Sequence, residues 1–110
     1  MWVECDTNVP CGESIIRQNL YGKRYWKEKF GKDMRMCWLP DVFGFSGNMP
    51  QILKKCGIDY FLTIKLSWNE HNKFSHRTFI WEGIDDSSVI VHMPPDETYN
   101  SEGNAWTFDN

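Results

Sequence analysis

The sequence predicts an α/β fold with parallel strands and a hairpin near the C-terminal end. Strand-like apolar segments alternate with two helical segments, an order that favours parallel pairing within one layer. Two further strand-like segments, at 78–82 and 88–93, flank the turn-forming residues 83–86. The chain has 110 residues, of which 41% are hydrophobic and 25% charged. This composition excludes a disordered tail, a collagen and a coiled coil, and the length is enough for one core.

The first half of the prediction rests on three local patterns. Residues 1–5 are apolar-rich and are predicted as a strand, and the turn-forming residues at 6–12 are predicted as a loop. Residues 13–30 carry apolar side chains at near-helical spacing, which predicts an amphipathic helix. Gly31 is a natural C-terminal stop for this helix, whereas Gly22 lies unfavourably in its middle.

The second half continues the alternation of strands and helices. In chain order the predicted elements are a strand at 34–39, a loop at 40–48, a helix at 50–56, a strand at 59–66 and a polar stretch at 67–77. Pro50 suits the first turn of the short helix, and Gly57 suits its end. Binding sites of parallel sheets collect in the loops that follow the strands. We therefore expect a site among the loops at 6–12, 40–48 and 65–77.

The charge balance and the lengths of the apolar runs argue against two classes of partner. Fifteen acidic and twelve basic residues give a formal charge of −3, so the chain has no general attraction for phosphate backbones. No apolar run approaches the roughly 20 residues of a membrane-spanning helix. We therefore expect neither nucleic acid nor a membrane as a partner. Aromatic residues make up 15% of the chain; most are expected in the core, although such rings also suit the faces of sugars.

The four cysteines are expected to be free thiols. No pair has the spacing of a zinc finger, and Cys37 and Cys56 lie in apolar contexts that are typical of buried thiols. The chain opens directly on Trp2-Val3 without the pattern of a signal peptide. Together these observations predict a reducing, cytoplasmic location.

Asp41 is the residue most suited to chemistry. It follows an apolar strand, lies between Pro40 and aromatic side chains, and precedes Gly44, which permits a tight loop. A carboxylate in this place can serve as a nucleophile or a metal ligand. The pattern alone leaves open an aspartate that only stabilises the turn. Glu4 and Asp6 are similarly open, between reaching a site and stabilising their own loop.

Seven blocks of sequence have the order and spacing of one known family. They are 2–6 (WVECD), 12–18 (GESIIRQ), 38–44 (WLPDVFG), 50–53 (PQIL), 65–69 (KLSWN), 78–83 (TFIWEG) and 92–95 (HMPP). Together they resemble the glycoside hydrolase family 38 α-mannosidases, in particular the branch of the cytosolic-type enzymes and their bacterial relatives. The resemblance runs over essentially the whole chain.

The resemblance implies a role for three residues. In this family the aspartate at the position of Asp41 is the catalytic nucleophile and also a ligand to zinc. The family cleaves terminal α-linked mannose with retention of configuration, through a covalent mannosyl-enzyme that water opens. Lys65 stands where many members have a substrate-side arginine, and Tyr99 stands where a tyrosine lines the sugar pocket. The residue pattern alone leaves open a solvated lysine at 65 and a loop aromatic at 99.

Several parts of the family site have no counterpart in this chain. The other zinc ligands, which include a His-x-Asp segment, and the acid/base aspartate of a glycine-rich motif are not matched. We therefore expect residues 1–110 to be an internal fragment of the N-terminal α/β catalytic domain, inactive alone. Its expected partners are an α-mannoside or oligosaccharide and the remainder of its own catalytic domain. Two alternatives remain: a metal-dependent carbohydrate hydrolase of the deacetylase kind, and a non-catalytic sugar-binding module, although such modules are usually all-β.

Overall fold

The computed structural model describes residues 1–94, which form helices on a four-stranded sheet. The elements are α1 (Gly12–Phe30), β1 (Met36–Trp38), α2 (Met49–Lys55), β2 (Tyr60–Leu62), a 3-10 helix (Lys65–Trp68), β3 (Thr78–Glu82) and β4 (Ser88–His92). The sheet order is β1-β2-β4-β3. The first two pairings are parallel and the β3–β4 pairing is antiparallel. The mixed α/β fold, the mostly parallel sheet and the hairpin are therefore confirmed.

The predicted strand at 1–5 is wrong. This segment lies along α1 instead of joining the sheet: the amide of Trp2 donates to the Gln18 carbonyl oxygen at 2.8 Å, and the amide of Val3 donates to Gln18 Oε1 at 3.1 Å. The approach depends on Gly22, where an added Cβ would lie 2.6 Å from the backbone of Met1. The glycine that weakens the helix locally thus permits this packing.

The strands β1 and β2 are shorter than the predicted segments at 34–39 and 59–66. The predicted strand at 59–66 pairs only over Tyr60–Leu62, because the chain then turns out of the sheet. The amide and hydroxyl of Ser67 both donate to the Ile64 carbonyl oxygen, which closes a tight turn where extended chain was expected. This turn carries Lys65 away from the strand direction and over the end of the sheet.

The core lies on one face of the sheet. Cys37, Phe61 and Val91 are neighbours in register across β1, β2 and β4, and all three are buried. They share one apolar cluster with Ile15 of α1 and Leu53 of α2, which places both helices on this face. In the part of the chain that the structure describes, no helix has both the length and the apolar character needed to cross a bilayer.

The opposite face of the sheet carries an exposed apolar row. Met36, Tyr60, Ile90 and Ile80 form one row across the four strands. These side chains are between 41% and 71% exposed. Parallel sheets almost always have both faces covered, so this row is an unusual surface for such a sheet.

All four cysteines are free thiols. Cys37 and Cys56 are buried as predicted, Cys5 is half-buried and Cys11 is exposed. Burial raises the pKa of the Cys37 thiol to about 12. That thiol stays protonated at neutral pH and acts as a small core residue.

Candidate functional site

Asp41 lies in the loop that follows β1, at the carboxyl end of the parallel strands. The loop is anchored on both sides of it, because Leu39 and Val42 are buried and the Leu39 amide donates to the Leu62 carbonyl oxygen at 3.0 Å. The Asp41 side chain itself is 50% exposed. The sequence thus holds a carboxylate at the surface between two buried apolar residues.

Lys65 lies beside Asp41 because β1 and β2 are parallel neighbours, so the segments that leave them meet at the same sheet edge. Its Nζ is 2.5 Å from Asp41 Oδ1, and its side chain is only 4% exposed. The ammonium also lies over two aromatic rings, 3.4 Å from the Trp68 centroid and 4.6 Å from the Phe43 centroid. A buried ammonium is stabilised by such contacts with a carboxylate and with ring faces.

The loop at 4–9 is hydrogen-bonded to the Asp41 loop. The Asp41 amide donates to Glu4 Oε1, across 37 residues of sequence. The Thr7 hydroxyl donates to the Gly44 carbonyl oxygen at 2.9 Å. Asp6 has a different place: its Oδ1 accepts from two amides of its own loop, at 2.7 and 3.0 Å. The roles of Glu4 and Asp6, which the sequence left undecided, therefore differ: Glu4 contacts the Asp41 backbone, and Asp6 stabilises its own loop.

Two cavities adjoin Lys65. The first has a volume of about 370 Å³ and is mainly aromatic; among its lining residues are Phe45, Phe61, Phe74, Phe79 and Trp81. The second, of about 360 Å³, combines aromatic side chains with amides; among its lining residues are Phe43, Trp68, Asn69 and Asn72. Rings together with amide groups are surfaces that can contact the apolar face and the hydroxyls of a sugar.

The described residues do not by themselves form a zinc site. Within 1–94, no three His, Cys, Asp or Glu side chains are placed to hold a metal ion. Asp41 is therefore at most one member of a donor set. His92 bonds through its ring to the Thr78 hydroxyl at 2.8 Å, which is a structural contact between β4 and β3. Tyr99, the third predicted site residue, lies outside the described residues.

The pattern of residues missed three features of this site: the Glu4 contact, the Thr7 contact and the two rings around Lys65. The contacts of Glu4, Thr7 and Phe43 join residues far apart in sequence, so no local spacing signals them. Trp68 lies only three positions after Lys65, in the same 3-10 helix, but the start of that helix was expected as extended chain. The only available signal was that the blocks at 2–6, 38–44 and 65–69 occur together. Blocks that recur together are expected to meet in space.

Comparison with known proteins decides the family. The family model "Glycosyl hydrolases family 38 N-terminal domain" matches residues 1–110. The chain belongs to glycosyl hydrolase family 38. This family 38 chain is 56% identical over 104 residues to Alpha-mannosidase G of Dictyostelium discoideum and 52% identical over 104 residues to human Alpha-mannosidase 2C1. It is also 52% identical over 101 residues to Alpha-mannosidase of Saccharomyces cerevisiae.

These matches cover 92–94% of the chain but only 9–10% of each relative. The family 38 chain therefore spans about a tenth of the length of the curated relatives it matches. The family membership predicted from the sequence blocks is confirmed.

Proposed function

We propose that this chain is part of the N-terminal catalytic domain of a retaining, zinc-dependent exo-α-mannosidase that removes terminal α-linked mannose from oligosaccharides. The observation that carries the proposal is the identity of 52–56% to three relatives that are named α-mannosidases. The position of Asp41 at the carboxyl end of the parallel strands supports it, since sites of such sheets lie there.

Asp41 is the proposed nucleophile. Its carboxylate is half exposed, while its backbone is held by Glu4, so a ligand could approach a carboxylate that is carried by an anchored loop. Attack on the anomeric carbon forms a covalent glycosyl-enzyme, which water then hydrolyses with net retention. A retaining enzyme needs a second carboxylate about 5–5.5 Å away as the acid and base. We place that group in another part of the full-length protein.

The zinc dependence rests on the family resemblance. Asp41 is the one ligand that we propose this chain contributes, and the other ligands would come from elsewhere in the protein. Bound zinc would orient the sugar hydroxyls. Tyr99 remains a proposed residue of the sugar pocket. For Lys65, the contacts around its ammonium support a different role, argued in the next subsection.

The exposed sheet face supports the proposal that the chain is a fragment of a larger domain. A row of four apolar side chains, Met36, Tyr60, Ile90 and Ile80, lies open on a mostly parallel sheet. Burying such a row is strongly favourable, and parallel sheets usually carry a layer on each face. We propose that the remainder of the same catalytic domain covers this face.

We also propose a cytoplasmic location, supported by free thiols that suit a reducing compartment.

The test is to trap the glycosyl-enzyme. The full-length protein is treated with a fluorinated mannosyl fluoride, digested, and the labelled residue is located by mass spectrometry. We expect the label on Asp41, and we expect Asp41→Asn to abolish both labelling and turnover. Asp33→Asn is the matched control, because Asp33 is an exposed carboxylate paired with Lys23 in the turn after α1; it should label normally.

Three results would contradict the proposal. A label on another carboxylate of an active enzyme would remove Asp41 from the nucleophile role. Deacetylation of a sugar by a chelator-sensitive reaction without any labelling would favour the deacetylase kind of hydrolase. Sugar binding that is unaffected by chelator and by Asp41→Ala, without turnover, would favour a non-catalytic binding module.

A further inference from the structure

We infer that Lys65 is a positioning residue, which fixes the orientation of the Asp41 carboxylate and does not itself bind the sugar. The inference rests on the proposed role of Asp41 as nucleophile. It changes the role expected for Lys65 from the resemblance, where its position is that of a substrate-side arginine. The change follows from where the ammonium lies and how little of it faces solvent.

The ammonium of Lys65 is largely enclosed. Nζ is 2.5 Å from Asp41 Oδ1, and only 4% of the side chain is exposed, compared with 50% for Asp41. The ring of Trp68 lies 3.4 Å from Nζ and that of Phe43 lies 4.6 Å from it, both well inside the roughly 6 Å at which a cation and a ring attract. A sugar hydroxyl would have to displace a ring or the carboxylate to reach Nζ. Of the two side chains, that of Asp41 is therefore the more accessible to a ligand.

Two of the contacts around Asp41 restrain it. Lys65 holds one carboxylate oxygen, and Glu4 accepts the hydrogen bond of the Asp41 amide. With one oxygen held and the backbone anchored, the carboxylate has little freedom to rotate, which keeps Oδ2 in a constant direction. A nucleophile that is already aligned avoids the loss of rate that a misplacement of about 1 Å can cause, of the order of 100-fold.

The shape of the enclosure favours lysine over arginine. An ammonium is a compact point charge that fits between two rings and a carboxylate, whereas a guanidinium is a planar fork with a different reach. Lys65→Arg should therefore keep the charge and part of the alignment. Lys65→Met should keep an unbranched apolar chain between the rings and lose the charge, so it isolates the contact with Asp41.

The experiment measures kcat and KM separately on the full-length protein with an aryl α-mannoside, together with inhibition by methyl α-mannoside. For Lys65→Met we expect kcat to fall about 100-fold, while KM and the inhibition constant stay within about threefold. Lys65→Arg should recover part of kcat. Lys55→Met is the control. Lys55 is an exposed lysine at the C-terminal end of α2, so this variant should have the same kcat and KM as the wild type.

A rise in KM and in the inhibition constant at nearly constant kcat would overturn the inference, because it would mean that Lys65 binds the sugar. Lower stability with unchanged kinetics would also overturn it, since that is the result of a merely structural lysine. If Lys65→Met does not fold, the same two constants for Lys65→Arg decide: lower kcat at constant KM supports positioning, and any other pattern overturns it.

Labelling by the fluorinated sugar separates this inference from the proposed function. If wild-type Asp41 is never labelled in an active enzyme, the proposed nucleophile fails. If wild-type Asp41 is labelled, Lys65→Met should label the same residue with a rate constant about 100-fold lower at the same half-saturating concentration. Labelling of Lys65→Met at the wild-type rate would overturn the positioning role alone.

Discussion

Gly44 offers a sharp test of how the Asp41 loop is held. Its φ is +110°, a conformation that residues with a Cβ rarely adopt, and an added Cβ would lie 2.8 Å from Asn8 Nδ2. The Asn8 contact is with the end of a flexible side chain, which can rotate away. Backbone strain therefore destabilises the variant more than this contact does, and we expect Gly44→Ala to cost about 1–3 kcal/mol if the loop stays in place.

The loop can also relieve this strain by moving, and the two responses are distinguishable. Asp41 lies three positions before Gly44, and the Gly44 carbonyl is held by the Thr7 hydroxyl at 2.9 Å. A loop shift of about 1 Å would misalign the carboxylate and lower kcat by up to about 100-fold. We expect a mixture of the two responses, in which the urea midpoint of the full-length protein and kcat both fall.

Gly31→Ala is the matched control. Gly31 has a φ of +65° at the end of α1, and an added Cβ would meet nothing within 4 Å. This variant should lose about 1–2 kcal/mol of stability through the same kind of strain and keep its kcat. If Gly44→Ala has wild-type stability and kcat, the reasoning about the loop is refuted. If it loses stability but retains kcat, the loop does not position Asp41.

Two further predictions concern the edge and the face of the sheet. The Lys54 ammonium and, after it, the Arg35 guanidinium hold the pKa of Asp59 below its usual 3.8. The charged carboxylate therefore stabilises the fold above pH 3.8, and this contribution is lost as the pH falls through the lower pKa of the folded state. Asp59→Asn should therefore speed amide hydrogen exchange in α2 and β2 at pH 7. The difference in exchange rate between variant and wild type should fade below about pH 3.8, and a difference of the same size at pH 7 and below pH 3.8 would contradict this. Ile80→Lys should reduce self-association of the isolated 110-residue chain in ultracentrifugation. The same substitution should destabilise the full-length protein, where Ile80, 71% exposed in this structure, would be covered. If neither the self-association nor the stability changes, the proposed covering layer is contradicted.

Much of the fold could be predicted from local patterns. The near-helical spacing at 13–30 corresponds to α1, and Pro50 and Gly57 bracket α2 because each has a backbone preference that suits its place. The turn at 83–86 joins β3 and β4 as expected. The segment at 1–5 was mispredicted, because a short apolar run has the same pattern whether it pairs in a sheet or packs on a helix.

The sequence by itself determined the order of the elements, the family and the place of Asp41 in the chain. These depend on local propensities and on the blocks of residues, which can be read without knowing what they touch. Only the tertiary structure decided that the Lys65 ammonium meets Asp41 between two rings, that Glu4 holds the Asp41 amide, and that a row of apolar side chains on one face of the sheet is exposed among the described residues. The physical reason is that these contacts join segments far apart in the chain, above all through the parallel pairing of β1 with β2, which brings the segments after two separate strands to one edge.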